Sequence, residues 1–145
     1  MNTIISIDPG NQKCGLVLAD LNKLSVINGK IVRKSYVIRL INEWNKNYKI
    51  DLILLGNGTT SKYWYSELNA YTITPIKFVD EARTTLRARE RYLELSPPKF
   101  PISLLPKTLL FPPSNLDAVV ALILVEDFIQ KKLEWNKKVE IKIWP

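Results

Sequence analysis

The chain has 145 residues, a length typical of one domain, and its content of 46% hydrophobic and 24% charged residues is ordinary for a packed globular protein. It contains one cysteine and no histidine, which excludes internal disulfides, multi-thiolate metal sites and catalysis by a histidine base. Lysine and arginine number 21 against 14 aspartates and glutamates, so the net charge is +7. That excess favours a polyanionic partner such as nucleic acid, with a solvated basic surface as the alternative.

Neither a signal peptide nor a membrane span is predicted. The N-terminal segment has no basic region, and Asp8 and Pro9 interrupt its apolar stretch. The longest apolar run, residues 118–125, is too short to cross a bilayer. We therefore expect a cytoplasmic protein with no membrane partner.

Three short strands are predicted in succession at the start of the chain. Residues 3–7 form a β-branched run that must end at Asp8, because Pro9 disfavours helix at the residue before it. Short connections join it to strands over residues 15–20 and 24–32, which predicts an antiparallel meander.

Helices and strands alternate in the rest of the predicted fold. A helix with its cap at Ser35 precedes a continuous apolar strand, and such continuity is typical of parallel strands buried on both sides. The later elements are a strand over 51–56, a helix over 59–71 capped by Thr59 or Thr60, a strand over 75–79, and helices over 84–95 and 115–133, the last capped by Ser114 or Asn115.

Two segments are predicted to be irregular. Residues 96–114 contain six prolines and should form a loop, and the tail over residues 134–145 is either an edge strand or a loosely attached end. The whole chain, residues 1–145, is therefore expected to be one α/β domain. Its predicted core is a mixed five-stranded sheet with helices on both faces.

Three groups of acids follow apolar segments at positions where such sheets carry their sites. Asp8 ends the first strand, Asp80 and Glu81 end the fifth, and Asp117 lies in the first turn of the last helix. Each also has a structural explanation, as a turn initiator for Asp8 or as an acid near a helix N-terminus for the others. Converging carboxylates about 4 Å apart would repel by roughly 4 kcal/mol at an effective dielectric constant of 20, and a hard divalent cation would relieve that repulsion.

Four segments resemble, in order, the motifs of the YqgF-type family of Holliday junction resolvases, which are also described as pre-16S rRNA nucleases. ISIDPGNQKCG at residues 5–15 is similar to the family's opening motif, and LLGNG at 54–58 occupies the place of its V-G-L-P strand end. VDEARTTLRA at 79–88 resembles its D-E-R-x-T-T-x-x-A segment, and NLDAVVALIL at 115–124 its V-D-x-x-A-A-x-x-I-L helix.

The resemblance implies an RNase H-like fold in which Asp8, Glu81 and Asp117 are the catalytic, metal-binding acids. The expected reaction is phosphodiester hydrolysis in structured RNA or branched DNA, in 5′-end processing of pre-16S rRNA or in junction resolution. One Mg²⁺ or Mn²⁺ held by Asp8 and Asp117 would activate water, and a second held by Asp8 and Glu81 would neutralise the leaving oxygen. Asp80, Thr84 and Thr85 are expected to surround the acids, with Asp80 alternatively capping a helix.

Basic side chains near these acids are candidates for phosphate contacts. Arg83, Arg87 and Arg91 recur every four residues on one helix, with ion pairs to Glu90 and Glu94 as the alternative role. Lys13 and Lys62 follow turns expected at the same end of the sheet. The aromatic residues 63–65 are predicted to be core residues rather than stacking platforms for bases.

Two further functions stay open on the sequence. A non-catalytic nucleic-acid-binding domain is favoured by the absence of a fourth acid one turn beyond Asp117 and by Ala82 and Asn57, which depart from the family's motifs. An actin-like phosphotransfer domain would need a second domain to close over a nucleotide. The protein could act as a monomer or a homodimer, and junction resolution requires two symmetric sites.

Overall fold

The computed structural model describes residues 2–106, 109–110, 113 and 115–145. Within them, nine helices and strands follow the predicted order and a tenth element, a strand, is added at the end. Their bounds are β1 (Thr3–Asp8), β2 (Lys13–Asp20), β3 (Ser25–Arg33), α1 (Val37–Asn47), β4 (Leu52–Gly56), α2 (Ser61–Tyr71), β5 (Ile76–Val79), α3 (Thr84–Leu95), α4 (Asp117–Ile129) and β6 (Ile143–Trp144).

The sheet is mixed, as predicted, but in the described part of the chain it has six strands rather than five. Its strand order is β5-β4-β1-β2-β3-β6, with β1, β2 and β3 antiparallel to their neighbours in the meander. β4 runs parallel to β1, and β5 runs parallel to β4. The tail supplies the sixth strand, because Ile143 and Trp144 pair in parallel with β3 at the edge of the sheet.

Helices cover both faces of this sheet. On one face, α1 and α2 pack over the side chains of β1, β2 and β4, with Trp44, Trp64 and Leu68 buried between the layers. On the other face, α4 packs directly on the sheet through Ala121, Leu122 and Val125. α3 lies outside α4 and is joined to it by a smaller apolar cluster. The strands that these helices cover are buried on both sides, which explains their continuous apolar sequences.

α3 spans Thr84–Leu95 as predicted, whereas the other helices start later than predicted, and none of the described capping candidates bonds to a helix N-terminus. A 3-10 turn at Lys34–Tyr36 precedes α1, so Ser35 lies before the helix rather than at its cap. α2 starts at Ser61 after Thr60, whose hydroxyl makes no capping bond. α4 starts at Asp117 and ends at Ile129, which shortens it at both ends, and Ser114 lies outside the described residues.

Two other features of the described chain bear on the predictions. Residues 96–106 contain only a short 3-10 turn, at Ile102–Leu104, in agreement with the predicted loop. No helix in the described ranges is long and apolar enough to span a membrane.

Candidate functional site

The carboxyl ends of the three parallel strands lie at one end of the sheet, called here the carboxyl rim. Ile7 at the end of β1 pairs with Leu55 of β4, and Gly56 at the end of β4 pairs with Val79 of β5. Asp8 and Glu81 therefore emerge at the same level on either side of β4, and the register brings them together although 73 positions separate them in the sequence.

Glu81 is held over the end of β4 by a glycine-rich turn. The Glu81 backbone N–H donates a hydrogen bond to the Asn57 side-chain oxygen at 3.2 Å. A methyl group added at Gly56 would lie 2.7 Å from Glu81 Cδ, and one added at Gly58 would lie 2.5 Å from Oε2. The absence of side chains at these two glycines is what admits the Glu81 carboxylate to the rim.

Asp117 reaches the rim from the opposite face of the sheet. It is the first residue of α4, and its backbone packs against Gly15, the residue of β2 that pairs with Asp8. A methyl group at Gly15 would overlap the Asp117 carbonyl and would lie 2.7 Å from the Ala118 nitrogen. This close approach places the start of α4 directly beside the end of β1.

This close approach predicts a contrast between two glycine substitutions. Gly15→Ala forces a methyl group into the backbone of α4 and should lower the free energy of unfolding by about 3 kcal/mol. Gly58→Ala meets only the end of the Glu81 side chain, which can rotate away, and should cost less than about 1 kcal/mol. Urea denaturation of both variants measures the difference, and equal losses would show that the fit of α4 on Gly15 is not tight.

The electrostatics of the rim confirm that the three carboxyl groups are close enough to interact. Burial, a hydrogen bond to Glu81 and the charges of Glu81 and Asp117 together raise the pKa of Asp8 from 3.8 to about 8, against the lowering effect of Lys13. Asp8 therefore keeps its proton to a higher pH than an ordinary aspartate does.

Lys13 is the cation nearest to this cluster. Its ammonium group lies 3.1 Å from Asp117 Oδ2 and donates a hydrogen bond to the Asn115 side-chain oxygen at 2.6 Å. Asp117 Oδ2 accepts no hydrogen bond, so its contact with Lys13 is an ion pair only. The ammonium group partly offsets the charge of the acids.

The three acids fit a hard divalent cation in their donor chemistry. In the described part of the chain, Glu81 Oε1 and Asp117 Oδ2 are buried oxygens that accept no hydrogen bond. In this part of the chain, no group of three or more histidine, cysteine, aspartate or glutamate side chains is arranged so that it could hold a metal ion by itself. Mg²⁺ is usually held by one or two carboxylates, waters and substrate phosphates, so it does not require such a group.

A cleft of about 560 Å³ opens from the acids toward α3. Asp8 and Asp117 line it together with Thr84, Thr85 and Arg89. Thr84 and Thr85 therefore lie beside the acids, where they were expected. Arg89 lies in the wall of the same cleft.

Asp80 occupies neither of the positions predicted for it. Its side chain is exposed and makes no hydrogen bond to the other described residues, and α3 begins after Arg83 without a side-chain cap. Glu81, which follows the end of β5, points toward the other acids, and its sequence neighbour Asp80 points to solvent. Glu81 is the residue of this pair that belongs to the cluster.

Arg87 and Arg91 are engaged by acids of α4, which the sequence did not predict, and Arg91 also makes the predicted ion pair with Glu94. Arg87 forms two hydrogen bonds to the Asp127 carboxylate, one of them at 2.8 Å. Arg91 donates to Glu126 at 2.9 Å, to the Leu133 carbonyl at 2.8 Å, and to Glu94 of its own helix at 3.1 Å. Arg87 and Arg91 therefore join α3 to α4, and their binding to phosphate stays an untested prediction.

We expect Arg91→Met to lower the free energy of unfolding by about 3 kcal/mol at neutral pH. Arg91 and Glu126 are only 11% and 10% exposed, so the substitution leaves a buried carboxylate without its cation. Lys132→Met is the matched control, because Lys132 also pairs with Glu94 but is 68% exposed and should cost less than about 1 kcal/mol. Equal denaturation midpoints for the two variants would contradict a structural role for Arg91.

The remaining predicted contacts are on the surface. Arg83 and Lys62 are exposed, and their binding to nucleic acid stays a prediction. The interpretation of residues 63–65 as core is right only for Trp64, which is 2% exposed and donates its indole N–H to the Gly10 carbonyl at 3.0 Å. Tyr63 and Tyr65 are 44% and 38% exposed, because successive helical residues point in different directions and only one of the three can face the sheet.

A second cleft, of about 950 Å³, adjoins Asp117 on the α2 side of the rim. Arg33, Lys34 and Tyr71 line it, and none of them was singled out from the sequence. The position of Arg33 could have been predicted, because the third strand of a meander ends at the same rim as the first.

We found no match between this chain and the model of any known protein family or any curated protein.

Proposed function

We propose that this protein is a divalent-metal-dependent nuclease with an RNase H-like fold, acting on structured nucleic acid in the cytoplasm. The observation that carries the proposal is the convergence of Asp8, Glu81 and Asp117 at the carboxyl rim. The antiparallel meander followed by two parallel strands supports the fold assignment, as does the resemblance to the YqgF-type family.

The carboxylates of Asp8, Glu81 and Asp117 would hold Mg²⁺ or Mn²⁺. When bound, the metal supplies charge stabilisation for phosphodiester hydrolysis and activation of water. The Asn57 side chain holds Glu81 by accepting a hydrogen bond from the Glu81 backbone N–H. Gly15, which has no side chain, lets Asp117 approach Asp8. The absence of histidine is consistent with this chemistry, because no protein base of matched pKa is required.

Lys13 and Arg89 would orient the substrate on the two sides of the acids. Lys13 pairs with Asp117 in the metal-free protein and would become available to a substrate phosphate when a dication neutralises that carboxylate. Arg89, with Thr84 and Thr85, lines the cleft on the α3 side and presents donors for a second phosphate.

The test compares two substrates under the same conditions. The purified protein is incubated with Mg²⁺ or Mn²⁺ and either a four-way DNA junction or a structured precursor-rRNA fragment, with EDTA as the blank. Metal-dependent cleavage of either substrate supports the proposal and distinguishes resolution from rRNA processing. Binding without cleavage, under all metals, would instead favour the non-catalytic domain, and light scattering on the same samples gives the oligomeric state.

A further inference from the structure

The cleft on the α2 side of the rim is lined by side chains whose chemistry differs from that of the acid cluster. It lies between the turn after β1, the end of β3 and the length of α2, and it has a volume of about 950 Å³. Lys13 and Asp117 form one end of it, so the cleft leads directly to the acids.

Among the described residues, two cations of this cleft, Arg33 and Lys34, lack the carboxylate partners that Lys13 and two arginines of α3 have. Arg33 and Lys34 are exposed, and neither forms an ion pair with any described acid, whereas Arg87 and Arg91 each do. Glu67 is the one acid of the cleft wall besides Asp117. Adjacent unpaired cations beside a metal-binding cluster are suited to successive phosphates of one strand.

Two tyrosines of α2 share the cleft with these cations. Tyr63 is 44% exposed and Tyr71 is 64% exposed, and they are separated by two helical turns, or about 12 Å along the axis. Tyr63 packs edge-to-face on the anchored Trp64 at 5.3 Å, and the Lys34 ammonium group lies 4.2 Å from the centre of its ring. Exposed aromatic rings beside phosphate-binding cations are the elements with which proteins bind unpaired bases.

We infer that this cleft binds an unpaired strand of nucleic acid and leads it to the acid cluster. This inference takes from the proposed function that the polymer is a nucleic acid, and it adds that the nucleic acid is bound as an unpaired strand. Bases in a duplex are stacked on one another and offer no ring face to a side chain, whereas unpaired bases can stack on Tyr63 and Tyr71. Arg33, Lys34 and Lys13 would then contact the phosphates between the bases and the scissile bond.

The experiment measures binding in EDTA, where the strand stays intact. Fluorescence anisotropy gives the Kd of the full chain for a labelled strand of about 12 nucleotides, as RNA, as DNA and as the matching duplex. Tyr71→Ala should weaken binding of the single strand about tenfold, while Tyr71→Phe should bind as the unaltered protein does. Tyr48→Ala, an exposed tyrosine that does not line the cleft, is the matched control and should change nothing.

The charge contribution is measured on the same samples. Arg33→Gln with Lys34→Gln should reduce the slope of log affinity against log salt by about 1.4 for the single strand, whereas Lys46→Gln with Lys49→Gln should leave it nearly unchanged. Tighter binding of the duplex than of the single strand, or binding by Tyr71→Ala within twofold of the unaltered protein, would overturn the inference.

The two proposals fail separately. Loss of the tyrosine effect with metal-dependent cleavage intact would refute this cleft and leave the nuclease proposal standing. Single-strand binding that depends on Tyr71, in a protein that cleaves nothing with any metal, would support the cleft and refute the nuclease. A difference between the RNA and DNA arms identifies which polymer the cleft prefers.

Discussion

Asp8→Asn is expected to abolish Mg²⁺-dependent cleavage, with a fall in rate of about a thousandfold or more, while the protein stays folded. Asp8 is the acid that interacts with both Glu81 and Asp117, so its replacement removes a shared ligand. A thousandfold change in rate corresponds to about 4 kcal/mol of transition-state stabilisation, within what a metal site supplies. The measurement is single-turnover cleavage of whichever substrate the unaltered protein cuts.

Asp51→Asn is the control, because it makes the same chemical change at the opposite end of the sheet. The Asp51 carboxylate accepts hydrogen bonds from the backbone N–H groups of Asn2 at 2.9 Å and Thr3 at 3.3 Å, far from the carboxyl rim. This variant should cleave at the ordinary rate. If Asp8→Asn also cleaves at the ordinary rate, the three acids are not the catalytic centre.

The same Asp8→Asn substitution is expected to stabilise the metal-free protein at pH 8 by several kcal/mol. The pKa of Asp8 is raised from 3.8 to about 8 on folding, so between these pH values the folded protein holds a proton that the unfolded chain has lost. The free energy of unfolding therefore falls as the pH rises through this window, by at most about 6 kcal/mol. Asparagine does not ionise, and the variant should lose this pH dependence.

Chemical denaturation in EDTA at pH 4 and pH 8 measures this effect. The two proteins should be almost equally stable at pH 4 and should differ most at pH 8. Added Mg²⁺ should raise the stability of the unaltered protein at pH 8 and leave that of Asp8→Asn unchanged, because only the former retains the shared ligand. A destabilised Asp8→Asn at pH 8 would show that the carboxylate is not under electrostatic strain.

The strands were predictable because a strand that is buried on both faces has a continuous apolar sequence. β1 and β4 are buried on both faces, and their continuous apolar residues and the Asp8–Pro9 stop identified them closely. The start of α3 at Thr84 was predicted correctly, but the starts of the other helices were not, because capping by Ser35, Thr60 or Asn115 was inferred from residue type alone. In each of these cases the side chain makes no capping bond.

The site was predictable only where strand order decides position. Asp8 and Glu81 follow parallel strands, and that placement could be deduced, whereas the partners of Arg87 and Arg91 lie on α4, some 40 and 35 positions further along the chain. Sequence spacing placed Arg87 and Arg91 on one face of α3 correctly, but Arg83 precedes the helix, and spacing could not show which helix covers that face. The exposure of Tyr63 was missed for the same reason, since it depends on which side of α2 meets the sheet.

Helix α4 connects the acid cluster to a distant part of the molecule. It is a largely buried helix of 13 residues, about 20 Å long, with Asp117 at one end and the ion pairs of Glu126 and Asp127 near the other. A tilt of the helix at the ion-paired end therefore moves its other end. Substitutions at the interface of α3 and α4 should shift Asp117 relative to Asp8 without touching either residue.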